Sequence, residues 1–293
     1  MDLVDELETR VLCGDGAIGT LLLAEGVPLE RCFEELCVSD PDRIRTIHEQ
    51  YIGAGARVIK TNTFGANAVR LERFGMESRV AEINHAAARI AKKAASPKDV
   101  HVAGSVGPLG ISADEADARG IDRAECFREQ IRALVEGEAE LIFFETFMDF
   151  AEIEIAFRAK KELSELPAIC SFSCASEERI SSGALLVEAF AKLRDEGAKI
   201  FGVNCMNGPH GMAQLLEHIP AEYLLAAYPN AGYPEYHEGR FIYHAAPEEF
   251  AQATREMVKQ GARLIGGCCG TDATHIAAIA AALENVQPVS GQY

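Results

Sequence analysis

Tryptophan is missing altogether from this chain of 293 residues, and only 28 lysines and arginines stand against 45 aspartates and glutamates. Without tryptophan, an aromatic cage for a quaternary ammonium ligand would have to be built from the 7 tyrosines and 14 phenylalanines. The resulting formal charge of -17 repels phosphate backbones and anionic headgroups, so neither a nucleic acid nor a membrane surface is an expected partner. A small neutral or zwitterionic ligand is untouched by that argument. Long apolar runs are also missing, the longest falling far short of a membrane span. Asp2, Asp5, Glu6 and Glu8 give the start of the chain the wrong charge for an export or mitochondrial leader, and a cytoplasmic protein is expected. Neither a G-x-x-x-x-G-K-[ST] phosphate loop nor an H-E-x-x-H zinc-hydrolase motif occurs.

What is present fits an ordinary soluble globular chain, with 48% hydrophobic and 25% charged residues. The nine cysteines are an odd number in a long chain without an export signal, so reduced thiols are expected. Cys13, Cys32, Cys37, Cys126 and Cys170 lie in apolar or amphipathic surroundings and read as small hydrophobes.

One pattern recurs four times. An amphipathic stretch ends at a glycine, a small or charged residue follows, and an apolar run begins: Gly55-Ala56-Arg57-Val58-Ile59, Gly137 to Ile142, Gly197-Ala198-Lys199-Ile200-Phe201 and Gly261-Ala262-Arg263-Leu264-Ile265. Glycine ends helices by accepting the left-handed conformation, and short continuous apolar runs suit parallel strands buried on both faces. Asp40-Pro41 and Pro247 open helices whose apolar residues share one face. Further apolar runs near Val11, His101-Val102-Ala103, Ala168-Ile169-Cys170 and Tyr223-Leu224-Leu225 bring the count to eight strands, each followed by a helical segment. No linker divides them. The expectation is an α/β fold with a single (β/α)8 TIM barrel over residues 1–293, a doubly wound sheet being the alternative.

Barrel chemistry collects at the C-terminal ends of the strands. Those ends carry Cys13 to Thr20, Lys60-Thr61-Asn62-Thr63-Phe64-Gly65, Phe144-Glu145-Thr146-Phe147, Gly202-Val203-Asn204-Cys205, Tyr228-Pro229-Asn230-Ala231-Gly232 and Gly266-Gly267-Cys268-Cys269-Gly270-Thr271. Cys205, Cys268 and Cys269 would converge on one rim, where three thiolates suit zinc with an open fourth position; a cluster of buried reduced cysteines is the competing reading. Zinc with three thiolates is a poor activator of water but keeps a fourth, substrate thiolate ionised, so thiol alkylation fits better than hydrolysis. Asp15 and Glu145 could bind an ammonium group, and the amides around Gly16, Ala17 and Ile18 could cradle a carboxylate, which together suit an amino-acid thiol. Read alone, Asp15 is a turn former and Glu145 a helix cap.

Taken together, Asp15-Gly16, Thr61-Asn62-Thr63-Phe64, Glu145-Thr146, Gly202 to Cys205 and Gly266 to Thr271 resemble the zinc-dependent homocysteine S-methyltransferase family over nearly the whole chain. Pro229 to Pro234 with Gly239-Arg240-Phe241, and Arg31 to Leu36, are similar to the homocysteine modules of cobalamin-dependent methionine synthase and of bifunctional proteins fused to methylenetetrahydrofolate reductase. The resemblance implies a barrel with its zinc site at the C-terminal rim, Zn2+ held by Cys205, Cys268 and Cys269, and homocysteine sulfur in the open position. Asp15 and Glu145 match the positions that hold the amino-acid end of homocysteine. Asn230 matches an asparagine that can take the fourth zinc position before substrate arrives. The implied product is methionine. The donor stays open among methylcobalamin on a corrinoid partner, methyltetrahydrofolate, S-methylmethionine and betaine, the last disfavoured by the missing tryptophan. No folate- or cobalamin-binding module is read in these residues, so the alternative is a zinc- and homocysteine-binding subunit that presents substrate to a separate methyl carrier. Cys174, near the end of the fifth strand, is expected to pack as a spectator, and His210 and His275 to face solvent at helix starts.

Overall fold

The computed structural model describes residues 2–96, 98–176, 178–205, 208–237 and 240–288. All eight expected strands form: β1 Leu12–Cys13, β2 Val58–Lys60, β3 His101–Val106, β4 Leu141–Phe147, β5 Ala168–Phe172, β6 Ile200–Asn204, β7 Leu224–Tyr228 and β8 Ala262–Ile265. Every neighbouring pair is parallel, in the order β1-β8-β7-β6-β5-β4-β3-β2. A parallel bridge between Gly14 and Val58, with the Arg57 amide donating to the Cys13 carbonyl at 2.7 Å, brings β1 against β2 and closes the ring. This is the (β/α)8 barrel, not the doubly wound sheet.

Period-two alternation decides which residues fill the barrel. Leu12, Val58, Phe143, Ile169, Ile200, Leu224 and Leu264 pack together inside, with the Phe143 ring edge-on to Tyr228 at 5.2 Å. Their neighbours Cys13, Ile59, Ile142, Cys170, Phe201, Leu225 and Ile265 face outward into the helical layer. The first helix, Leu3–Thr9, sends Leu3, Val4 and Leu7 into the interior cluster, while Glu6 contacts His101 and Arg57 at the strand starts. It therefore stoppers the end opposite the candidate site.

Three of the four glycine joints turn as expected, with Gly55, Gly197 and Gly261 at φ of +110°, +103° and +97°. At the fourth, Gly137 has φ of -79° and it is Glu138 that turns left-handed, at +73°. Gly137 is needed there for space: a Cβ would lie 2.6 Å from the Ala88 Cβ of a neighbouring helix. The helices Pro41–Gly53 and Pro247–Lys259 form where expected, although Asp40 makes no capping hydrogen bond and pairs with Arg43 instead.

The strand β1 end spells Gly14-Asp15-Gly16-Ala17-Ile18-Gly19, the G-x-G-x-x-G spacing of dinucleotide-binding turns. In the barrel the first two glycines serve side chains rather than a pyrophosphate. A Cβ on Gly14 would strike the Tyr228 ring, and one on Gly16 would lie 2.8 Å from the Tyr51 ring. Two short antiparallel hairpins were not expected: Cys174–Ser176 with Arg179–Ile180, and Glu235–His237 with Arg240–Ile242. They follow β5 and β7 and so lie at the C-terminal mouth.

Candidate metal and substrate site

The ends of three adjacent strands, β6, β7 and β8, bring the thiols together. Directly after β6 the backbone of Cys205 turns left-handed, with φ of +59°, a conformation costing a non-glycine residue about 1–3 kcal/mol unless its surroundings impose it. Here the Cys205 amide is tied to the Tyr228 carbonyl at 3.1 Å. After β8 the loop is stitched to its neighbours: the Gly267 amide donates to the Asp15 carbonyl at 2.9 Å, Cys268 to Pro229 at 2.8 Å, and Ala231 to the Cys269 carbonyl at 2.8 Å. Close approach at this loop requires glycine, because a Cβ on Gly266 would enter the Tyr228 ring and one on Gly267 the Thr271 side chain.

As a result the sulfurs of Cys205, Cys268 and Cys269 lie within 4.8 Å of one another, with Cys205 and Cys269 at 3.9 Å. Zinc–sulfur bonds of about 2.3 Å in a tetrahedron require sulfurs about 3.8 Å apart, so the observed spacing fits a shared ion. Among the described residues this is the one group of three metal-ligating side chains so placed. The protonation pattern points the same way. Cys269, 3.9 Å from Cys205 and engaged also by Cys268 and Tyr243, is held down at about 3. Contact with Cys268 and Cys269 pushes Cys205 far above the usual thiol range. Cys205 lowers Cys268, but Cys269 and burial leave it pushed up to about 11. A lowered Cys269 beside two raised neighbours favours one negative charge among the three sulfurs, an arrangement a soft cation would complete.

Asn230 follows the end of β7, and its neighbours Pro229 and Ala231 are hydrogen-bonded to the cysteine loop. Its Oδ1 is buried without a hydrogen-bond partner, as suits an oxygen available to a metal. Cys174 stays outside the sulfur group and packs against the outer core. His210 sits half-exposed at the start of the helix Pro209–Leu216. His275, expected to face solvent, is buried: Asp272 binds its Nδ1 at 2.8 Å, and the Ala245 carbonyl lies 3.0 Å from its Nε2.

Beside the thiols lies a buried acid pair. Asp15 is fully buried; its Oδ2 accepts the Lys60 amide at 2.7 Å, while Oδ1 has no hydrogen-bond partner. Burial raises its carboxyl to about 7 against the opposing pull of Lys60. Glu145 is aimed inward by an irregularity in β4 between Phe144 and Phe147, where Thr146 has φ of +61°. Ser105 donates to Glu145 Oε1, and Lys60 Nζ reaches Oε2 at 3.1 Å. The Ala17 amide donates to Thr271 Oγ1 at 3.2 Å, so a carboxylate at the Gly16–Ala17 turn would compete with Thr271 for it.

Three residues of this site have no role assigned from the sequence, although Lys60 and Asn204 lie in its strand-end motifs. Lys60 lies between the acids, 4.0 Å from Asp15 Oδ1 and 4.6 Å from the centre of the Tyr228 ring. Burial alone would lower its ammonium, but Glu145 and Asp15 outweigh burial and push it above its usual value. A lone lysine after Val58-Ile59, in a strand expected to be buried on both faces, was the available signal. Asn204 accepts the Thr146 amide at 2.8 Å and the Ser171 hydroxyl at 2.6 Å, and donates to Thr146 Oγ1 at 2.6 Å. Its Nδ2 lies 4.0 Å from Cys268 Sγ, joining the bend that aims Glu145 to the sulfur cluster. Tyr243, the third, lies outside every strand-end motif and reaches Cys269 from beyond the second hairpin.

Residues 12–283 match homocysteine S-methyltransferase as a family. The chain belongs to that family. Among curated proteins it is 30% identical to the methionine synthase of Mycobacterium tuberculosis (strain ATCC 25618 / H37Rv) over 98% of this chain and 26% of that protein. The methionine synthase of Mycobacterium leprae (strain TN) is 29% identical over 96% of this chain and 25% of its own length. This homocysteine S-methyltransferase family chain thus spans about a quarter of the curated relatives it matches. Among solved structures, the metallated form of the homocysteine methyltransferase MmuM from Escherichia coli superposes with a TM-score of 0.77 at 28% identity, covering 95% of this chain and 98% of that one. No helix among the described residues is long and apolar enough to cross a membrane.

Proposed function

We propose that the chain transfers a methyl group to the sulfur of homocysteine, giving methionine, at a zinc ion held by Cys205, Cys268 and Cys269. The observation that carries this reading is the three-sulfur group beside a buried acid pair at the barrel mouth. Bound zinc would supply the positive charge that keeps a substrate thiol deprotonated as its fourth ligand at neutral pH. Every other task falls to the chain. Asp15 and Glu145 would take the substrate ammonium, the Gly16–Ala17 turn would face its carboxylate, and Asn230 would be the residue to hold the fourth position until the substrate is bound. Asn204 keeps Cys268 and the Glu145 bend in one hydrogen-bonded unit. The barrel supplies position rather than proton transfer: the sulfur–carbon bond forms as the donor–carbon bond breaks, and the thiol proton has already left on binding.

Membership of the family and the likeness to MmuM support homocysteine as acceptor. The likeness to methionine synthases supports a second reading for the donor, in which the methyl group arrives on a carrier, a corrinoid or one bearing methyltetrahydrofolate. Zinc-loaded protein incubated with homocysteine and each donor in turn, with methionine measured, separates the readings. Turnover with a small free donor supports a self-sufficient methyltransferase, and turnover only after a carrier protein is added supports a substrate-presenting subunit. Full-rate methylation by metal-free protein contradicts both.

A further inference from the structure

We infer that Lys60 is a positioning residue that sets specificity for an amino-acid thiol, by lying between Asp15 and Glu145 and orienting their carboxyl groups toward one further ammonium. The inference rests on the reading of that pair as the amino-end site. Two carboxylates this deeply buried cannot both stay charged without a cation close by. Lys60 is that cation, with Nζ 3.1 Å from Glu145 and 4.0 Å from Asp15, and over the rings of Phe143 and Tyr228. Two acids share one ammonium here, which leaves acceptor capacity for a second, the substrate's. The remaining acceptor is also visible: Asp15 Oδ1 is buried, unpartnered and turned toward this cluster. Glu145 has both oxygens engaged, by Ser105 and Lys60, which fixes the carboxylate plane before a ligand arrives.

A thiol with a carboxylate but no amino group would gain nothing from this arrangement, and that difference gives the test. Zinc-loaded protein is titrated calorimetrically with homocysteine and with 4-mercaptobutanoate, which differs only in lacking the amino group. Lys60→Met should weaken homocysteine about tenfold or more while moving 4-mercaptobutanoate by less than about threefold, and Lys60→Arg should recover most of the loss. Zinc content and near-UV circular dichroism of each variant establish that the site is assembled. Equal weakening of both ligands would reduce Lys60 to a packing role, and tighter homocysteine binding would make it a competitor for the acids. Either overturns the inference, as does no change. Glu145→Gln separates the two levels. If it loses homocysteine selectively while Lys60→Met does not, Lys60 alone is misassigned; if Glu145→Gln is not selective, the amino-end reading fails and takes the Lys60 inference with it.

Discussion

Zinc uptake by the metal-free protein should release about two protons per ion rather than three. The number comes from the hydrogen bonding of the three sulfurs. Cys269 is the sulfur held lowest, at about 3, while Cys268 is pushed up to about 11 and Cys205 higher still. Between those limits the cluster keeps two protons, which metal binding must expel. The sign follows directly: affinity rises with pH, and the apparent log K should climb by about two for each unit between pH 5.5 and 7.5. Calorimetric titration in buffers of different ionisation enthalpy reads the proton count without reference to activity. Release of about three protons would show three independent thiols and refute the shared-charge description. Release of one or fewer would mean that not all three cysteines bind.

Other consequences follow from named contacts. Asn204→Ala leaves the Thr146 amide and the Ser171 hydroxyl without their acceptor, and should cost about 2–4 kcal/mol in urea unfolding, with weaker homocysteine binding as the Glu145 bend relaxes. Gly266→Ala forces a methyl into the Tyr228 ring and should destabilise the fold by about 1–3 kcal/mol, while lowering zinc occupancy because the cysteine loop is displaced. Asp15→Asn should make the metal-free protein more stable at pH 8 by about 1–4 kcal/mol but not at pH 4, while weakening homocysteine. The folded carboxyl, raised from 3.8 to about 7, costs stability that grows through that window and is complete above it.

The barrel was legible because its joints repeat. A glycine followed by a short β-branched or aromatic run marks a buried parallel strand, and each such run became one. The sulfur cluster was legible because barrel topology delivers strand ends to one rim, so cysteines distant in sequence could be placed together without knowing any contact. Lys60 was not, because its partners Asp15 and Glu145 come from strands on either side of it and the pairing exists only after closure. Asn204 reads as an unremarkable polar residue until the bend at Thr146 is seen. The left-handed Glu138 shows a further limit: Gly137 was required for its missing side chain, not for its backbone freedom. The hairpins lie in rim segments whose sequences carry no sustained alternation.

On the proposed function, Cys205, Cys268 and Cys269 hold zinc and leave one position for homocysteine sulfur. X-ray absorption at the zinc edge tests it most directly, by counting sulfurs at about 2.3 Å before and after homocysteine is added. Three are expected without substrate and four with it, and Cys268→Ser should purify without its zinc. A count that stays at three when homocysteine is bound, or a Cys268→Ser protein that retains a full zinc complement, would contradict it.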